Sequence, residues 1–298
     1  MTLPVAILFC VITMLGWGSW ANTQKLAGKE KWPFELFYWD YAIGVFIFSL
    51  LFAVIGGSFE VVGSFAITAL ISGAIFNLAN ILLVVSIDAA GMSVAFPVGI
   101  GLALVIGTVE SYLEAPKGNP SLLFAGVALI VFAMIMSAMA RQTRGTNRVR
   151  GLIFSVIAGC IMGLFYPQLM RAIGPEKLTP YVALVFFGAG VLLSNIIVNS
   201  VFMKAGGVTY GDYFRGSAKL HLIGILGGFI WMVALSLNVI AANVAGPAIS
   251  YALGQGATLV AAIWGVFVWR EKGAISYTTL MFIGYASGLI LIGAATLR

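Results

Sequence analysis

"AGMSVAFPVGIGLALVIGT", residues 90–108, is apolar enough to cross a bilayer yet carries a proline and four glycines. A second stretch, "AGPAISYALGQGATLVAAI", residues 245–263, repeats its layout. With a shift of 155 residues Ala90-Gly91 falls on Ala245-Gly246, and Gly99 and Gly101 fall on Gly254 and Gly256. The pair predicts two helices interrupted near mid-membrane, at Pro97, Gly99 and Gly101 and at Gly254 and Gly256, one in each half of a duplicated chain. An interrupted helix frees backbone groups that only a cavity or neighbouring protein can satisfy, so corresponding breaks in two halves point to a solute site. The competing reading is close helix packing, which small residues provide in any membrane bundle.

Outward from these stretches the whole chain reads as membrane. Hydrophobic residues make up 61% and charged residues 9%, with a mean hydropathy of +1.06, which leaves too little polar sequence to cover a soluble core. Apolar runs of about 20 residues match the hydrocarbon thickness of a bilayer at helical rise. The alternating pattern of barrel strands is missing. The expected fold is therefore an all-α integral membrane protein with ten spans, at 3–23, 36–57, 64–86, 91–112, 121–140, 151–170, 181–203, 220–241, 245–268 and 275–296. The polar decapeptide "RQTRGTNRVR", 141–150, divides them into five plus five, giving repeats 1–140 and 151–298 around a basic linker. Weaker matches pair Trp20 with Tyr166, Lys25 with Arg171 and Gly28 with Gly174. An odd number of spans per copy turns the second copy upside down, an inverted repeat of the kind found in secondary transporters. Basic residues crowd the loops on the linker side, among them Lys25, Arg141, Arg150, Lys204, Arg215, Lys219 and Arg270. By the positive-inside rule the linker is cytoplasmic and both termini face outside a plasma-type membrane.

Several classes are excluded. The basic residues lie in short loops rather than along one face, so nucleic acid is not implied. Cys10 and Cys160 sit in apolar runs without metal-type spacing, and a single histidine, His221, gives no support to a metal centre or a Ser-His-Asp triad. No Walker-type glycine loop provides for ATP, so energy comes from a gradient or the protein is a facilitator, and no cofactor is expected.

"GWGSWANTQKLAG" (16–28), "YWDY" (38–41), Asn80, "GMSVAFPVGIG" (91–101), "GLFYP" (163–167), "AISYALGQ" (248–255) and "WGVFVWREKG" (264–273) occur in that order. Together they resemble the ureide permeases and their relatives, the glucose/ribose porters, within the drug/metabolite transporter superfamily. The resemblance covers nearly the whole chain. It implies ten helices in two inverted five-helix halves, a central cavity, and secondary transport driven by protons. The chain departs from the ureide permeases in lacking a long central loop.

The intramembrane polar residues are mostly neutral, which suits a neutral, hydrogen-bonding solute. Asn22, Asn77, Asn80, Ser93, Gln168, Ser250 and Gln255 are the candidate donors and acceptors, and Trp17, Trp20, Tyr166, Trp231 and Tyr251 the candidate stacking surfaces. Asn195, Asn199 and Asn238 also lie in spans, where the competing role is interhelical bonding. Ionisable groups inside spans are costly, which marks Asp40 and His221 as candidates for proton coupling. For Asp40 the competing role is a pair with Lys25, Lys29 or Lys31. The expected activity is proton-coupled import of a small neutral solute, with a ureide, nucleobase or nucleoside preferred. A monosaccharide is the alternative, and drug or metabolite export by the same fold a second one.

Overall fold

The computed structural model describes residues 1–29, 32–56, 60–90, 92–140, 147–270 and 273–297, without the side chains of 29, 88, 92–94, 96, 97 and 148. Much of the expected linker, 141–146, thus lies outside the described residues. Helices follow one another throughout: α1 Leu3–Ser19, α2 Ala21–Lys29, α3 Phe34–Gly56, α4 Gly63–Ala90, α5 Met92–Glu114, α6 Pro120–Ala140, α7 Arg148–Arg171, α8 Pro180–Ala205, the short α9 Tyr210–Phe214, α10 Ala218–Ala245, α11 Pro247–Gly254, α12 Ala257–Ile263 with a π-helical turn at Trp264–Val268, and α13 Ile275–Ala294. Among the described residues nine stretches are long and apolar enough to span a membrane, with α1–α2 and α11–α12 each counted as one. α5 adds a further helix of 23 residues.

Burial runs opposite to that of a soluble protein. Asn77, Asn195, Asn199 and Asn238 are fully buried, whereas Ile55, Ile197 and Ile290 are 80%, 71% and 69% exposed. Lipid solvates such an apolar exterior, and polar side chains turn inward because hydrocarbon offers them no partner. Helix ends are set by local chemistry. Thr179 caps α8 by accepting from Val182 N, ahead of Pro180. Thr209 and Asp212 form a reciprocal capping box on α9. Gly246, at φ +94°, makes the left-handed turn from α10 into Pro247 at the head of α11.

The fold departs from the expected pair of broken helices. α5 runs unbroken through Pro97, Gly99 and Gly101. Its small residues serve packing instead: a methyl on Gly159 of α7 would lie 2.5 Å from the Gly99 carbonyl oxygen. The ninth span does break, with α11 ending at Gly254 and α12 restarting at Ala257. Gly256 N bonds Leu253 O at 3.0 Å across the interruption, a tight turn where a helix would reach one residue further back.

Two compact units emerge, and both draw on both sequence halves. The first comprises Met1–Gly18, Ala79–Pro167 and Leu237–Arg298; the second comprises Ser19–Leu78 and Gln168–Ser236. In the first, α6 packs on α13, and α5 lies against α6 and α11. In the second, α3 packs on α8, and bare glycine backbones touch neighbouring carbonyls. A methyl on Gly73 would strike Phe187 O and one on Gly190 would strike Leu70 O, joining α4 to α8. A methyl on Gly228 would strike Tyr41 O and one on Gly44 would strike Ile225 O, joining α10 to α3.

Candidate functional site

The break between α11 and α12 collects a cluster within the first unit. Cys10, Thr13 and Trp17 share one face of α1 by their spacing of three and four residues. That face meets α11: Cys10 Sγ lies 3.9 Å from Ser250 Oγ, and a methyl on Gly254 would sit 2.9 Å from the Trp17 ring and 3.2 Å from Thr13. Tyr251 stacks on Tyr166 of α7, with centroids 4.8 Å apart, and its hydroxyl donates to Ala103 O at 3.3 Å. Asn238 of α10 donates from Nδ2 to Ser250 O at 2.8 Å. Its Oδ1 is buried without a hydrogen-bond partner among the described residues. Gln255 follows the end of α11, 8% exposed, at the interruption itself.

Trp17, Tyr166, Ser250, Tyr251 and Gln255 are thus brought together with Cys10, Thr13 and Asn238. None of the eight carries a formal charge at neutral pH. Thr13 and Cys10 escaped the sequence reading, although their spacing from Trp17 is the signal that could have found them.

A second cluster belongs to the second unit. Trp231 is only 5% exposed and is flanked by stacked rings, Phe76 at 4.2 Å and Phe187 at 5.8 Å. Tyr41 links it to Trp20, with centroids 6.5 Å from Trp231 and 4.9 Å from Trp20. Asn77 donates from Nδ2 to Ser194 Oγ at 3.0 Å and Asn199 from Nδ2 to Glu35 O at 2.8 Å. Left without hydrogen-bond partners among the described residues are Tyr41 Oη, Asn77 Oδ1, Asn199 Oδ1 and both amide atoms of Asn195. A buried polar atom left unpaired costs about 1–3 kcal/mol, so this density of orphans is unusual for a group of purely structural contacts.

The other candidates lie elsewhere. Asn22 Nδ2 donates to Ser19 O at 2.9 Å within α2's first turn, and Gln168 Oε1 accepts from Arg171 at 2.9 Å near the end of α7. Both amides are taken up locally. Asn80 is 5% exposed on α4, in the first unit. Ser93 and Pro97 lie on α5 with their side chains outside those described.

Asp40 and His221, 181 residues apart in sequence, meet in the second unit. His221 Nδ1 lies 2.9 and 3.0 Å from the two carboxylate oxygens. Tyr213, on α9 outside the spans, donates its hydroxyl to Asp40 Oδ1 at 2.6 Å. Asp40 is 1% exposed and the His221 side chain 23%. Its described partners therefore come from α9 and α10. Sequence reading missed Tyr213, since nothing about a tyrosine in a connecting segment announces a buried carboxylate partner. Among the described residues no cluster of His, Cys, Asp and Glu could hold a metal ion.

Known proteins resemble this chain end to end. A Listeria monocytogenes protein provisionally named for sugar uptake is 24% identical over 97% of both chains. Proteins provisionally named for ribose uptake are 26% identical in Lactobacillus johnsonii, over 98% of both chains, and 22% identical in Staphylococcus aureus, over 98% of this chain and 97% of that one. A crystal structure 15% identical in sequence superposes with a TM-score of 0.67, over 98% of this chain and 96% of its own, which shows a shared fold. The match to the family described as sugar transport protein covers residues 8–298, and the chain, a multi-pass transporter rather than an enzyme, belongs to that family.

Proposed function

We propose that this protein imports a monosaccharide by proton symport, with the α11–α12 cluster as its sugar site. The carrying observation is that cluster's make-up: the Trp17 ring and the stacked Tyr166–Tyr251 pair beside hydroxyl and amide groups, with no charged member. A pyranose or furanose offers a C–H face for the rings and hydroxyls for Asn238 Oδ1 and Gln255. The relatives' names add independent support for a sugar over a ureide or nucleobase, and the sugar reading replaces that earlier preference. Asp40 with His221 is the proton-coupling pair.

The two halves are read as an inverted repeat that rocks about the site. In support, the glycine contacts of the second unit repeat at fixed offsets: Gly73 to Gly228 and Leu70 to Ile225 are both 155 residues apart, while Gly44 to Gly190 and Tyr41 to Phe187 are both 146. The unit boundaries after Gly18 and Leu78 in the first half likewise have counterparts after Pro167 and Ser236 in the second.

Binding in detergent tests the substrate. Ribose or glucose should change the intrinsic tryptophan fluorescence saturably, and Trp17→Phe should remove most of that signal. Saturable binding of allantoin or uracil with no response to either sugar would overturn the reading.

A further inference from the structure

Beneath α9 the second unit holds an open cavity of about 330 Å³. Trp32, Leu36, Asp212, Arg215, Gly216 and Leu220 are among its walls. At Gly216 that wall has no side chain, and a methyl placed there would lie 2.8 Å from His221 Nε2. Trp32 meets the same imidazole edge-on, with centroids 5.5 Å apart, and Tyr213 meets it at 4.7 Å. The ring, 23% exposed, thus adjoins the cavity wall at Gly216 on one side and a carboxylate that is 1% exposed on the other.

We propose that His221 relays protons between this cavity and Asp40, and that Tyr213 holds the carboxylate in place to receive them. This deepens the proton-coupled reading above and rests on it. Beside an ionised Asp40, Nδ1 carries the hydrogen and Nε2 the free lone pair. Nε2 takes a proton from water in the cavity as Nδ1 gives its own to an Asp40 oxygen. The two transfers reverse when the proton leaves. One proton passes either way and no charge remains on the ring.

Tyr213 is a positioning residue. Burial first, then its bond to Asp40 and that carboxylate's charge, hold the Tyr213 phenol above the usual tyrosine range, so it remains a donor rather than a competing base. The other charged residue types on the surrounding elements are Glu35 on α3, Lys25 and Lys29 on α2, Lys204 on α8, Asp212 on α9, Arg215 just after it, and Lys219 on α10. Arg215 pairs with Asp212 at 3.8 Å. Among the described residues the side chains that hydrogen-bond Asp40 are His221 and Tyr213.

The test uses the full chain in proteoliposomes with labelled sugar and an imposed pH gradient. His221→Ala should lower gradient-driven accumulation at least tenfold, since a positioned proton-transfer group contributes about a hundredfold or more. Free imidazole, small enough for the cavity, should restore it. Tyr213→Phe removes a bond that favours the charged carboxylate and should move the half-point of the pH profile upward by about one unit. Monodispersity in detergent checks that each variant is folded. Wild-type accumulation by His221→Ala, or a monodisperse variant that imidazole leaves inactive, would overturn the relay, and an unmoved profile in Tyr213→Phe would remove that residue from it. Asp40→Asn separates the two levels. If it still accumulates sugar on a pH gradient, the proton reading itself fails; if it does not while His221→Ala does, the relay alone fails.

Discussion

Gln255 stands where the ninth span stops being a helix, beside the hydroxyl of Tyr251, with which its side chain is hydrogen-bonded. If it faces a sugar hydroxyl, Gln255→Ala leaves one desolvated group of the solute unpaired, a loss of about 1–3 kcal/mol. Each 1.4 kcal/mol is about tenfold in affinity. Uptake at limiting sugar concentration should therefore fall by about tenfold or more at unchanged protein level, and wild-type uptake kinetics would place the sugar elsewhere. Trp17, Tyr166, Ser250, Tyr251 and Gln255, each picked by residue type and depth, come together in one cluster. Asn22 and Gln168 instead bond locally, to Ser19 O and Arg171, a kind of contact that leaves no trace in hydropathy. Asp40 and His221 were legible as ionisable groups that are costly to bury. Their contact was not, for 181 residues separate them and only folding joins them.

At the scale of elements, two similar glycine patterns gave one continuous helix and one broken one. Glycine spacing alone does not separate a break from a close contact, and neighbours decide. In α5, Gly99 faces a Leu83 methyl, and Gly107 faces the Tyr251 ring and Gly163 O. The two positions should respond differently to alanine. At Gly99 the added methyl would lie 2.7 Å from Leu83 Cδ1, the end of a flexible side chain that can turn aside. At Gly107 it would lie 2.5 Å from the ring of Tyr251, which is packed on Tyr166 and cannot retreat. Gly107→Ala should cost about 1–3 kcal/mol as overpacking. A lower thermal midpoint and weaker sugar affinity would report it, with Gly99→Ala affected less in both. Equal effects would mean that Tyr251 has more freedom than its packing implies.

For the whole molecule, the class followed from composition, because no soluble fold can hide so much apolar sequence, and the spans followed from the apolar runs, nine of them recovered as spanning stretches among the described residues with α5 as a further helix. The division into two units could not be read from the chain. It depends on where helices touch, and each unit takes segments from both halves. The proposed orientation rests on charge alone. Tags in 141–146 should be shielded in intact cells and tags at either terminus accessible, and the opposite pattern would invert the topology. Gradient-driven transport in proteoliposomes reaches the central claim most directly. Labelled ribose, glucose, allantoin and uracil are offered with and without an inward proton gradient. A sugar should accumulate above its external concentration only with the gradient, and a protonophore should release it. Accumulation of allantoin or uracil in its place, or sugar entry that equilibrates identically with and without the gradient, would contradict proton-coupled sugar import.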